Sequence, residues 1–150
     1  MSLFGGLEIS ASGLTAERLR MDVAAENLAN AQTTRGADGG PYRRKSVVLE
    51  QAAGGASFGA QLSTAMGARA GGGAPSGVQV AGIVEDPGAP RQIYDPGHPD
   101  ANAQGYVAMP NVDTVAEMVD LITASRGYEA NVTAMQASKQ MFAKTLELLR

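Results

Sequence analysis

The chain has no cysteine and no tryptophan among its 150 residues. Without thiols it forms no disulfide and no thiolate metal site. Aromatic residues make up 5% of it, with phenylalanine only at Phe4, Phe58 and Phe142. That is too little for a platform on which nucleic-acid bases stack. The net charge of -3 predicts no strong attraction to nucleic acid or to anionic membranes. No run approaches the ~18 apolar residues of a spanning helix. The N-terminal stretch MSLFGGLEISASGLTAERLR lacks the basic start and unbroken apolar core of a cleaved secretory signal. Taken alone, that absence favours a cytosolic protein.

The most informative absence is local. All seven prolines lie between Pro41 and Pro110, and fifteen of the nineteen glycines lie between Gly36 and Gly105. The two ends are nearly free of helix breakers and the middle is not. The fold class that follows is mainly α with a small β insert. Long N- and C-terminal helices pair as a coiled coil, and a short antiparallel strand-and-loop domain stands between them. The corresponding divisions are 1–33, 34–110 and 111–150.

The first helix is expected over about residues 7 to 31. Leu7, Ala11, Leu14, Arg18, Met21, Ala25 and Leu28 step alternately by four and three, the ~3.5-residue period of a coiled-coil seam. Asn30, Thr33, Thr34 and Gly36 favour turns and end it. The second helix is expected after Pro110, capped by Asn111 or Asp113, with Glu117 near the positive end of its dipole. Its seam is Met118, Leu121, Ser125, Tyr128, Val132, Met135, Lys139, Phe142, Leu146 and Leu149, with Val115, Val119 and Ile122 as a second apolar flank. From about Val112 to Leu149 such a helix is ~57 Å long. A compact chain of this size is only ~40 Å across. Part of the seam is therefore expected to meet other chains, and the ends to order on assembly.

In the middle, YRRKSVVLE, GVQVAGIVE, RQIY and GYVAMP read as strands, with Asp86, Pro87 and Gly88 as turn material. The Gly-, Ala- and Ser-rich stretch from about residue 52 to 77 reads as a loop, with a short amphipathic turn around Phe58, Leu62 and Met66.

Chemistry is sparse. His98 stands near Asp95 and Asp100, but three potential ligands among prolines describe a turn better than a metal site. Ser138 and Lys139 lack the third partner of an activated nucleophile. Gly71 to Gly73 lack the lysine of a phosphate loop. No enzyme, metal or cofactor is expected. Arg43, Arg44 and Lys45 read as a solvated strand edge, or else as a contact for an acidic neighbour.

Four stretches, in order, carry a family resemblance. SGLTAERLRMDVAAENLANAQTTRG and PNVDTVAEMVDLITASRGYEANVTAMQASKQMFAKTLELL resemble the paired terminal signatures of bacterial flagellar axial proteins, the rod, hook and hook-associated subunits. GPYRRKSVVLE and YDPGHPDANAQGYVAMPNVD are similar to the corresponding stretches of proximal rod subunits of the C subtype. The resemblance spans about residues 8 to 50 and 78 to 149.

It implies a structural, non-enzymatic subunit of the basal-body rod, exported unfolded without a cleaved signal and assembled in the periplasm. It thereby replaces the cytosolic expectation. Partners would be other rod subunits and copies of itself, with the inner-membrane ring and export gate as further neighbours. The expected subunit interface comprises Leu7, Leu14, Met21, Leu28, Asn27 and Asn30. On the second helix it comprises Met118, Leu121, Arg126, Tyr128, Glu129, Val132, Met135, Phe142, Leu146 and Leu149. Arg126 would reach a neighbouring subunit, or else pair with Glu129. Asn27 and Asn30 would bond across subunits, or else cap the helix end. Gly127, with Ser125 and Ala130, would admit a close-packed backbone. The rival assignment is a cytosolic coiled-coil adaptor that folds and dimerises alone.

Overall fold

A computed structural model of the chain describes residues 3–36, 39–52 and 77–148. Its elements in order are α1 (Leu3–Ala29), β1 (Lys45–Gln51), β2 (Val78–Glu85), β3 (Arg91–Tyr94), β4 (Tyr106–Met109) and α2 (Thr114–Leu148). The loop expected at 52–77, with Phe58, Leu62 and Met66, falls almost wholly outside the described residues, as does Leu149.

α1 begins about a turn earlier than expected. α2 begins behind Asp113, whose Oδ1 accepts from the Val115 amide at 2.9 Å and the Ala116 amide at 3.4 Å. Asp113 rather than Asn111 is therefore the N-cap. At ~1.5 Å per residue the two helices are ~40 and ~52 Å long.

They lie antiparallel. A Cβ built on Gly13 would stand 2.9 Å from Asn131 Nδ2, and one on Gly127 would stand 3.1 Å from Glu17 Cδ. Asn27 bonds Glu117. These three pairs share one register, which sets Leu3 level with about residue 141. The last two turns of α2 thus run past the described start of α1.

The contact between the helices uses small side chains. Ala16, Val23 and Ala24 of α1 and Ala124 of α2 are buried, with Asn27 and Glu117 beside them. This corrects the expected α1 seam. Ala11, Arg18 and Ala25 are exposed, and Leu7, Leu14, Met21 and Leu28 are only half-buried. Their stripe lies on another face of the helix. The large residues set the period seen in the sequence, whereas close approach is made by glycine and alanine. Gly127 is explained in the same way. It makes room for the Glu17 side chain of the same chain, and not for another backbone.

The insert forms two separate two-stranded antiparallel sheets, β1–β2 and β3–β4. β1 starts three residues later than expected because Tyr42 is engaged elsewhere. Its amide donates to Thr33 O at 3.1 Å. β1 pairs with β2 from Lys45↔Glu85 to Gln51↔Val78, with a register shift after Val48. Asp86, Pro87 and Gly88 join the two sheets rather than turning a hairpin.

The β1–β2 sheet lies lengthwise on α1. Lys45 is tied to Asn27 at one end and the Val78 amide to Ser12 Oγ at the other. The fifteen helical steps from Ser12 to Asn27 rise ~22 Å, and seven strand residues span nearly the same. In the turn that leads into β4, Gly105 holds φ +80°. A Cβ there would also stand 2.9 Å from the Tyr94 ring. Tyr94 and Tyr106 meet edge to face at 5.3 Å.

Candidate functional site: a buried polar joint and an open helix groove

Where α1, β1 and α2 meet, the interior is polar. Asn27 is 1% exposed and Glu117 is 2% exposed. Asn27 Nδ2 donates to Lys45 O at 2.8 Å and to Glu117 Oε2 at 3.0 Å. Asn27 Oδ1 accepts from the Lys45 amide at 2.9 Å and from the Tyr42 hydroxyl at 2.9 Å. The carboxamide thus meets the Lys45 peptide unit as a neighbouring strand would, and its bonding capacity is filled.

Glu117 Oε1 accepts from Arg44 Nε at 2.5 Å, and Arg44 Nη2 lies 3.6 Å from Asp120. Lys45 Nζ bonds Glu26 Oε1 at 2.6 Å and sits 5.7 Å from the centre of the Tyr42 ring. Among the described residues no buried side-chain polar atom is left without a partner.

Such a network specifies geometry. Removing one member strands the others in a dry site, which costs more than an average hydrogen bond gains. Titration follows the same contacts. The hydrogen bond to Glu117 raises the Arg44 pKa above its ordinary value. Burial, reinforced by Glu26, raises that of Tyr42. The hydrogen bond to Glu26 raises that of Lys45.

The joint draws in residues that sequence reasoning assigned elsewhere. Arg44 and Lys45 are not a solvated edge, since both are held by carboxylates of the helices. Asn27 is consumed within the chain rather than across subunits. Asn30 stays at the helix end, where Nδ2 donates to Glu26 O and Oδ1 accepts from Thr33. The glutamate near the start of α2 serves Arg44 and Asn27 as well as the helix dipole. Asp100 takes Arg35 at 2.9 Å and the Thr34 hydroxyl at 2.8 Å, and its amide donates to His98 Nδ1. These bonds fasten the loop after α1 to the β3–β4 connection. Among the described residues no group of three His, Asp or Glu side chains is placed to hold a metal ion.

Away from the joint the pair presents its apolar side chains outward. Leu121, Tyr128, Val132 and Met135 are half-buried, while Met118, Arg126, Glu129, Phe142 and Leu146 are exposed. Arg126 and Glu129 form no ion pair with each other. Arg18, Met21, Asp22 and Ala25 of α1 and Leu121 and Tyr128 of α2 line an open groove of about 410 Å³. Val115, Met118, Val119 and Ile122 recur at helical spacing on α2, all exposed. Four expected interface residues, Met21, Met118, Leu121 and Tyr128, therefore lie in or beside surface that the chain itself leaves uncovered.

Two long terminal helices joined by a small strand insert, with apolar surface facing outward, have the architecture of a subunit of an assembly. Comparison with known proteins agrees. The family model described as flagella basal body rod protein matches residues 7–37. A second, for the C-terminal region of the flagellar basal body rod FlgEFG proteins, matches residues 103–148. The flagellar basal-body rod protein FlgC of Bacillus subtilis is 50% identical, with 99% of each chain covered. Its namesake from Escherichia coli O6:H1 is 45% identical over 99% of this chain and 98% of its own. That from Borreliella burgdorferi is 41% identical over 100% and 99%. The chain belongs to the flagellar basal-body rod protein family.

Proposed function

We propose that the chain is a structural, non-enzymatic subunit of the proximal rod, acting in the drive shaft that carries torque to the hook. The observation that carries this is similarity along the whole chain to basal-body rod proteins of distant bacteria. The architecture supplies the mechanism. A torque-bearing subunit needs its parts held at fixed angles, and the polar joint locks both helices and the insert together. It also needs surface for neighbours, which the outward apolar residues of both helices offer. Contacts between unlike surfaces of successive subunits propagate a helical filament.

In this reading the terminal segments 1–33 and 111–150 form the inner helical part, and 34–110 faces adjacent rod subunits. The chain passes unfolded through the flagellar export apparatus without a cleaved signal and folds in the periplasm. Its neighbours are other rod subunits and copies of itself, and at the base the inner-membrane ring and export gate. Among the described residues no helix is long and apolar enough to cross a membrane.

The test is deletion of the gene in its own host. The expected result is loss of swimming, with basal bodies that stop at the inner-membrane ring, and recovery of both when the chain is restored. Normal swimming and complete rods in the deletion strain would overturn the proposal.

A further inference from the structure

Each small sheet of the insert leaves an edge unpaired, and two of these edges match. Directly opposed residues of an antiparallel pair turn their backbone groups either both toward the partner strand or both away. The Lys45 amide and carbonyl both bond Asn27, so they face away from β2. Glu85, opposite Lys45, therefore faces away from β1, and so does Ile83, opposite Val47. In the other sheet Tyr106 turns both backbone groups to Asn102. Tyr94, opposite Tyr106, therefore faces away from β4, as does Gln92. The outward amides and carbonyls of Ile83, Glu85, Gln92 and Tyr94 have no hydrogen-bond partner among the described residues. α1 reaches the β2 edge only at Val78, through Ser12. At the other end an open cavity of about 630 Å³ borders Glu85 and Asp86. An unpaired edge is a template for another strand, and β2 carries no proline or lysine to blunt it.

The side chains select one register between β2 and β3. Antiparallel, Glu85 exchanges backbone bonds with Gln92, and Ile83 with Tyr94. Val84 then stands opposite Ile93, and Asp86 opposite Arg91, so that apolar meets apolar and charge meets its opposite. A shift by two residues either way brings Pro90 or Pro96 to a place that needs an amide. It also sets Val84 against Arg91 or Asp95. The parallel direction brings Glu85 and Asp86 toward Asp95. Ile83, Val84, Ile93 and Tyr94 are all exposed. Arg91 forms no ion pair among the described residues, and Asp86 uses only Oδ1, on the Gly88 amide. Within one chain β2 and β3 stand in different sheets.

We propose that the open edge of β2 receives β3 from a second copy of the chain. The two small sheets of neighbouring subunits then run on as one, in the order β1, β2, β3 and β4. The assignment rests on the function proposed above and names a contact that the strand insert makes. Backbone hydrogen bonds hold the added strand, and the Asp86–Arg91 pair with Val84 against Ile93 fixes its register. The two edges are unlike, so each added copy brings a new open β2 and a new open β3.

The absence of native cysteine makes the test clean. Val84 and Ile93 would face each other without exchanging backbone bonds, with Cα atoms ~4.5 Å apart. A disulfide spans that separation. Val84→Cys and Ile93→Cys are introduced together into the only copy of the gene, and basal bodies from swimming cells are mildly oxidised. The expected product is a disulfide between position 84 of one chain and position 93 of another, in dimers and longer multimers. Its yield should exceed that of either single variant more than tenfold. Arg91→Glu in that background is expected to lower the yield at least fivefold, and adding Asp86→Lys to restore it. If the first pair abolishes swimming, Ile83→Cys with Tyr94→Cys takes its place.

A disulfide formed only within one chain would mean that β2 and β3 close on each other, and would overturn the proposal. Links only between two position-84 or two position-93 thiols, or to a different protein, would overturn it as well. Absence of links in swimming cells would overturn it while leaving the rod function standing, because swimming itself reports that function.

Discussion

The two ends of the helix pair are built on opposite principles. At the joint, Asn27, Arg44, Tyr42 and Glu117 are drawn from three segments and bonded almost entirely to one another. At the far end, Met141, Leu146, Lys144 and Glu147 stand in water. Satisfied buried polar groups fix one geometry, because every alternative leaves a donor or acceptor unpaired. Exposed apolar groups fix nothing within the chain and gain only when a neighbour covers them. The difference separates the part of the subunit that must be the same in every copy from the part that changes on assembly.

The largest effect is expected from breaking the joint. Asn27→Ala removes four hydrogen bonds and leaves the Lys45 peptide and Glu117 underbonded, and should cost about 3–5 kcal/mol in chemical denaturation of the purified chain. Glu117→Ala should cost about 3 kcal/mol or somewhat less, since Arg44 retains partial access to water and to Asp120. At the middle of the pair, Gly127→Val forces a branched side chain against Glu17, and about 1–3 kcal/mol is expected. Gly127→Ala should come within about 1 kcal/mol of neutral, because the gain in helix propensity opposes a shift of the flexible Glu17.

A pH scan sharpens the contrast in a different way. Tyr42 and Lys45 have folded pKa values raised above their ordinary values of 10.0 and 10.5. The unfolded chain therefore releases these protons first. Their contribution is complete below about pH 10 and is lost as pH rises through the folded values. Tyr42→Phe should be less stable at neutral pH, and its alkaline decline should be shallower. The smallest effect on the isolated chain is expected at the far end. Arg126→Glu and Leu146→Ser should each change stability by less than ~0.5 kcal/mol, while Leu146→Ser impairs assembly of rods and swimming.

The helices were legible in the sequence because breakers punctuate the middle and spare the ends. The strands followed from alternation and turn residues. The helix contact was misread for a physical reason. Hydrophobic periodicity weights large side chains, and Leu7, Leu14, Met21 and Leu28 made a more visible stripe than Gly13, Ala16 and Ala24. That stripe marks the outer flank of α1 beside the groove. The joint was not legible. Asn27 and Glu117 are ninety residues apart, and neither type signals burial. Only their matched places on two antiparallel helices, with Arg44 at the start of a strand between them, would have indicated it. Within the groove, Met21, Leu121 and Tyr128 were singled out by spacing alone, but their meeting on one open face required the register.

Hydrogen exchange of the purified chain, read by mass spectrometry, tests the contrast between joint and free end most directly. Slow exchange is predicted around residues 20–29, 44–49 and 114–124, with exchange at least a hundredfold faster in peptides from 140 to 148. Equally fast exchange at Asn27, Lys45 and Glu117 would contradict it, since the joint would then form only when subunits come together.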